Sequence, residues 1–547
     1  NTMNKNKYVF LLLIFVSCSS IPSLDKGIYV ESLQKSHTSK SGVVSTGHPL
    51  ATKAGVQILS QGGNAMDAAV AAAYVLAVVE PSMSGIGGRA QILIYDPNSG
   101  YHGIDATTAA PSDYDFDSAP KKRYGYPSIG IPGVVKGLTK ALTDFGTLSR
   151  KIVMKSSIDY ARDGHHLIYG EAMRQAYVNE QLNEFDGSRM HFLRPDGSPK
   201  KPGEWIVQDD LAKVLQAISD EGSDVFYKGW IAEKIVEDNK ANGGVLSMQA
   251  LAEYEAMESH IVEGNYRGYD IKGLWIPSYG AITIQALHIL EEYAESKDLQ
   301  SNRDWGEAIY NSIKSAYLDR RVQKSLEDAN KFTSKEYAKE KVRQVINPQV
   351  EIDKLMPYAF TLPNGHTTHL TVVDKNGMIV ALTQTVGTTM GSKVATPGLG
   401  FVYAQTLGGY LGEVKARDRA SSHISPMIIS KDNEPILALG AAGGSRIPSS
   451  IVAVISRIID NGKSLEAAMS LPRVHPQNDG TIDLEFTDKN SFTMDDSLYY
   501  ANKGYTVSIQ KEKARFGRIH AVMKSGESWI GVADPDWEGN ASSPGQQ

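Results

Sequence analysis

The stretch Thr367–Val386 has few ways to fold other than as a β-hairpin. Thr367–Val373 is strand-like, Asp374-Lys375-Asn376-Gly377 supplies an Asn-Gly turn, and Met378–Val386 returns as a second strand. Two more hairpins follow. Ser425–Ser430 and Pro435–Gly440 flank Lys431-Asp432-Asn433-Glu434, and Arg518–Met523 and Ser528–Ala533 flank a glycine turn. Between them, Ile451–Asn461 and Leu465–Leu471 have helical patterns. Paired antiparallel strands interleaved with helices imply an α+β layered sandwich.

The N-terminal half supplies covering helices. Gly47 to Pro81 reads as two: His48-Pro49 opens the first, Gly62-Gly63 breaks it, and Asn64 caps an alanine-rich second helix running to about Val79. Its small residues suit close packing on a sheet. Gln91–Tyr95 reads as a strand ending in the turn Asp96-Pro97-Asn98-Ser99-Gly100. The region 130–345 is richer in helix and charge, as in Lys151–Asp163, Asp210–Asp220 and Trp305–Gln323, with a polar loop at Leu299–Asp304. No internal repeat appears, which excludes a solenoid.

The 547 residues are 41% hydrophobic and 22% charged, a soluble globular balance. Lys and Arg total 56 against 62 Asp and Glu, a net charge of −6 that speaks against a nucleic-acid-binding surface. The 50 glycines promise tight turns and backbone-lined sites. One cysteine, Cys18, leaves no intrachain disulfide and no cysteine zinc cluster. Met3 reads as the start, Lys5 and Lys7 as a positive flank, and Tyr8–Val16 as a short apolar run. Phe15-Val16-Ser17-Cys18 resembles a bacterial lipobox, so residues 1–17 are expected to be a signal peptide, Cys18 an acylated anchor and 18–41 a polar tether. The expected location is outside the cytoplasm, in the periplasm or cell envelope.

The chemistry sits on the first hairpin. His366-Thr367-Thr368-His369-Leu370-Thr371-Val372, then Gly377 and Val380-Ala381-Leu382-Thr383-Gln384-Thr385, resembles the signature of the γ-glutamyltranspeptidase family of N-terminal nucleophile hydrolases. Four other segments match in the same order: Gly47–Ala51 with Gly62–Ala71, Arg419–Pro426, Gly440–Ile447 and Gly531–Pro535. The resemblance implies a four-layer αββα sandwich and self-cleavage between His366 and Thr367. A large subunit, 42–366, and a small subunit, 367–547, would remain together. A hydroxyl is a weak nucleophile without a base. The freed α-amine of Thr367, with a pKa of about 7.7–8.0, would be that base on the same residue. Thr385 would orient the hydroxyl, Gly443 and Gly444 would supply oxyanion-hole amides, and Gln405, Ser421, Ser422 and Thr383 would line the substrate site. Thr383 and Thr385 share a strand face by their spacing.

The resemblance breaks where the family grips a γ-glutamyl headgroup. Thr107 stands for an arginine, Gly387 for an asparagine or glutamate, Gly408 for an aspartate, Met390 for an aromatic and Asp536 for an arginine. Arg89, directly after the glycine run 85–88, is the nearest replacement cation. That run lacks a P-loop lysine and is no nucleotide site. The histidines, His165-His166 included, show no metal-ligand spacing. No metal or organic cofactor is expected. The first reading is an enzyme that cleaves γ-glutamyl amides such as glutathione. The alternatives are an acylase or amidohydrolase with another acyl group (glutaryl, small-amide or polyglutamate) and a non-catalytic envelope binding protein.

Overall fold

Two seven-stranded antiparallel sheets lie face to face in the computed structural model, which describes residues 34–346, 365–486, 491–511 and 515–545. In chain order their strands are β1 (Ser36–Ser39), β2 (Gly42–Thr46), β3 (Arg89–Asp96), β4 (Gly100–Ala106), β5 (Met257–Glu258), β6 (Ile261–Tyr266) and β7 (Tyr269–Leu274). Then come β8 (Gly365–Asp374), β9 (Ile379–Thr388), β10 (Met427–Lys431), β11 (Glu434–Ala442), β12 (Arg518–Ser525), β13 (Ser528–Ala533) and β14 (Asn540–Ser542). One sheet runs β14-β2-β8-β9-β3-β4-β5 and the other β1-β13-β12-β11-β10-β7-β6.

Alternation sorts the side chains of these strands. Val43, Leu93, Val373 and Ile379 of the first sheet meet Leu274, Ile428, Ala438 and Val522 of the second in a thin apolar layer. The outer face of the first sheet, with Val44, Ile92, Leu370, Val372 and Leu382, is covered by α1 (Pro49–Ser60) and α2 (Ala65–Val79). The other outer face carries α3 (Gly280–Tyr293), α4 (Asn302–Leu318) and α5 (Arg446–Ile459). The result is the αββα sandwich. A capping box between Asn64 and Asp67 fixes the start of α2. Gly55 lets α1 settle on its neighbours, since a methyl group there would meet Val44 at 2.9 Å.

Element ends depart from the sequence reading in three places. Asn302 already starts α4 inside the expected loop, and α5 begins at Arg446, two residues after Gly444. The expected tether reaches too far: Ser36–Ser39 pairs with β13, from Ser36 opposite Val532 to Ser39 opposite Trp529. The polar sequence there is that of an edge strand, whose partner supplies the pairing. The signal segment and Cys18 lie outside the described residues. His165 is buried and His166 exposed in a two-residue strand beside Trp205–Ile206. Among the described residues, no helix is long and apolar enough to cross a membrane.

Candidate active site

Strand pairing brings three residues into one row. Thr367 of β8 stands opposite Thr385 of β9, which stands opposite Arg89 of β3. Directly paired residues share a face, here the face turned towards the second sheet. The Thr367 hydroxyl donates to Thr385 Oγ1 at 3.1 Å. Thr385 in turn donates to the carbonyl oxygen of His366 at 2.6 Å and accepts from the Gly387 amide at 3.0 Å. One hydroxyl thus touches both the nucleophile and the carbonyl of the bond expected to be cut. A register shift between His366 and Thr367 marks this end of the hairpin, and irregular pairing of this kind re-aims side chains near active sites.

One pleat further along, His369 accepts or donates at Thr383 Oγ1 (2.7 Å) and Thr371 Oγ1 (2.9 Å). Thr371 continues the chain to the His520 carbonyl at 2.8 Å. Burial holds the His369 imidazole well below its usual pKa, so it is neutral. Thr383 is fully buried in this chain. There it holds the His369 ring, which Thr371 holds from the other nitrogen.

The second sheet brings the glycine pair to the site. Ala438 meets Val373 in the inter-sheet layer, and a methyl group at Gly440 would come within 2.3 Å of the His369 ring. Beyond Gly440, β11 ends at Ala442, and Gly443 and Gly444 follow it. Gly443 has φ 140°, and a side chain there would press on Gly517 at 2.9 Å. Both glycines are half-buried and precede the start of α5.

A polar wall beside Thr388 is built around Gln405. Its side-chain oxygen accepts from the Thr388 amide at 3.1 Å and from the Thr388 hydroxyl, and its amide nitrogen donates to the Arg123 carbonyl at 2.7 Å. Arg89 Nη1 donates to the Gln405 carbonyl at 2.9 Å. The Thr108 carbonyl accepts from the Ala420 amide at 2.8 Å, which sets Ser421 and Ser422 beside this wall. Ser421 accepts from Arg320 Nη2 at 2.8 Å, and Arg320 lies over the Tyr279 ring.

The surroundings of four departures from the family are plain in the fold. Thr107 is buried and spends its hydroxyl on Asp105 at 2.7 Å. At Gly387 (φ 101°), the space for a side chain is taken by the Tyr410 hydroxyl, 3.1 Å from a would-be methyl carbon. Gly408 (φ 65°) is closed by backbone, because a methyl carbon would lie 2.2 Å from the Lys122 carbonyl oxygen. Met390 is fully buried. Lys393, Thr388, Tyr410 and Arg320 escaped the sequence reading. Lys393 did leave a trace, as the one charge in the otherwise uncharged run Val386–Ala395.

Comparisons with known proteins agree with this geometry. The family model described as gamma-glutamyltranspeptidase matches residues 51–543. The glutathione hydrolase proenzyme of Escherichia coli (strain K12) is 34% identical over 538 residues, 91% of this chain and 90% of that protein. The acylase ACY 1 proenzyme of Pseudomonas sp. (strain SE83) is 31% identical over 491 residues, 83% and 85% of the two chains. The crystal structure of cephalosporin acylase from Bacillus halodurans shares the fold with a TM-score of 0.83, at 23% identity, over 94% of this chain and 98% of that one. Hairpin, glycine pair, layered sheets and full-length similarity together place this chain in the γ-glutamyltranspeptidase family of autoprocessed N-terminal nucleophile enzymes.

Proposed function

We propose that this protein cuts its own His366–Thr367 bond and then hydrolyses or transfers the acyl group of an amide through an ester on Thr367. The observation that carries this reading is the double contact of Thr385 with Thr367 Oγ1 and the His366 carbonyl oxygen. In the precursor, Thr367 Oγ attacks the His366 carbonyl carbon while the Thr385 hydroxyl donates to the oxygen on which charge develops. The C–N bond breaks as the ester forms, and water then hydrolyses that ester. A carboxylate remains on His366 and a free amine on Thr367.

The same hydroxyl then serves substrate. The amine accepts its proton, Oγ attacks the amide carbonyl, and the Gly443–Gly444 amides receive the oxyanion. Collapse expels the leaving amine with that proton. Water or an amine acceptor releases the acyl group and restores the hydroxyl. The large subunit is then 42–366 and the small subunit 367–547.

Two acyl groups compete for this site. Family membership favours a γ-glutamyl amide of the glutathione kind. The side-chain hydroxyl spent at Thr107 and the backbone-closed position 408 favour a different acyl group, as in an acylase. Export, with Cys18 as lipid anchor, is the cellular half of the proposal and rests on the N-terminal pattern alone. Metabolic labelling with palmitate, abolished by Cys18→Ser, tests it.

The catalytic reading is tested by N-terminal sequencing and anilide turnover in wild type, Thr367→Ala and Thr367→Ser. We expect cleavage before Thr367 in the wild type, an intact inactive alanine variant and a slowly processed serine variant. Turnover by the uncleaved alanine variant would refute it.

A further inference from the structure

One buried arginine next to the glycine pair has no role in the reaction just described. Arg518 opens β12 and stands opposite Ala442, the last residue of β11 before Gly443. The backbones are close at this level, since a side chain on Gly443 would meet the Gly517 Cα at 2.9 Å. Arg518 is almost wholly buried. Burial, and after it the charge of Arg518, then those of Arg174 and Lys393, hold the His366 imidazole neutral. Arg518 thus acts on the residue whose carbonyl is attacked in self-cleavage.

The loop after β13 holds this arginine. Its guanidinium lies 4.1 Å from the Trp537 ring centre, and that of Arg174, from the helix Tyr169–Tyr177, lies 4.5 Å from the same ring. Asp534 accepts from the Ile519 amide at 2.9 Å, which ties the loop to β12. Gly539 backs onto Gly47: a methyl group on Gly539 would lie 3.0 Å from the Gly47 Cα, and one on Gly47 would lie 2.9 Å from Thr368 Oγ1. The loop therefore runs from Arg518 to the neighbour of the nucleophile. From outside, the Lys35 ammonium donates to the Gly539 carbonyl at 2.8 Å and to the Trp537 carbonyl.

Position 536 lies in this loop, where the family has an arginine and this chain has Asp536. Arg518 packs on the very next residue. Arg174 is already shared by two carboxylates, Glu171 at 3.0 Å and Glu538 at 3.6 Å. Arg518 also feels Asp534, Glu80 and Glu538, while burial and Arg174 push its guanidinium down to about 10, so it stays charged at neutral pH.

We propose that Arg518 takes the place of the family's arginine at 536 and supports self-cleavage by stabilising the negative charge that gathers on the His366 carbonyl and remains there as a carboxylate. This role rests on Thr367 as the nucleophile of the cut. The Thr367 hydroxyl proton ends on the Thr367 nitrogen as the ester forms. Water then gives its hydroxide to His366 and a proton back to Oγ, and the new acid loses its own proton to solvent. Charge is negative at His366 in each addition step and in the product, the places where a fixed cation lowers the barrier.

The test follows cleavage by intact mass in the slow Thr367→Ser chain. We expect Arg518→Met to slow cleavage by roughly tenfold or more, the worth of a charge-assisted contact. Arg518→Lys should keep most of the rate, and adding Asp536→Arg to Arg518→Met should restore it. His366→Glu, which sets a carboxylate among these cations before the cut, should cleave more slowly than His366→Gln by a similar factor. That pair leaves Arg518 in place and decides the matter should Arg518→Met fail to fold. Unchanged cleavage in folded Arg518→Met, no recovery with Asp536→Arg, or His366→Glu as fast as His366→Gln would overturn the role of Arg518 while leaving the cut intact. A wild type without a fragment beginning at Thr367 would overturn the cut, and the role of Arg518 with it.

Discussion

In the uncleaved chain the Thr385 hydroxyl touches the attacking oxygen and the carbonyl under attack, besides the Gly387 amide. Thr385→Ala removes a preorganised donor from both reactions and should slow self-cleavage and anilide turnover together, by about a hundredfold or more. Thr385→Ser should restore most of both. Time courses of processing and of hydrolysis check this; loss of one with the other unchanged would separate the two roles. Of the residues named, Thr367, Thr385 and the glycine pair enter through the resemblance to the family, while spacing alone gives the shared strand face of Thr383 and Thr385. Alternation gives that face but not the depth at which Thr383 is buried. The sequence hides Tyr410 and Lys393, because their contacts depend on how distant loops converge.

At the scale of elements, the β8–β9 hairpin is fully legible: alternation and an Asn-Gly turn fix both strands, and Thr367 meets Thr385 in the resulting register. Likewise α1 and α2 follow from their caps and glycine break. The edge strand β1 is not legible, because pairing to β13 and not its own pattern makes it a strand. The glycine-rich segment that carries Gln405 and Gly408 is legible only as a loop, while its chemistry lies in what its backbone forbids. Gly408→Asp returns the family's residue by name but drives a side chain into the Lys122 carbonyl. We expect lower stability and no gain in γ-glutamyl turnover. Thermal melting and anilide kinetics read both, and an active variant with γ-glutamyl preference would contradict the closed pocket.

Across the whole molecule, the proposed cut separates strands that remain paired. β8 and β9 lie between β2 and β3, while β10 to β13 lie between β1 and β7. Each proposed subunit thus contributes to both sheets, and the two halves bury one common inter-sheet layer. The fragments should co-elute in high salt and part only on denaturation, which size exclusion before and after urea reports. The layered class was legible from the order of helices and hairpins. The interleaving was not, because it depends on pairings between residues hundreds of positions apart. The most direct measurement is peptide mass spectrometry of enzyme quenched during turnover of a slow acyl anilide. The account predicts a peptide that begins at Thr367 with a free amine and carries the acyl mass as an ester on that threonine. An acyl group on any other residue, or a Thr367 still joined to His366 in the active protein, would contradict it.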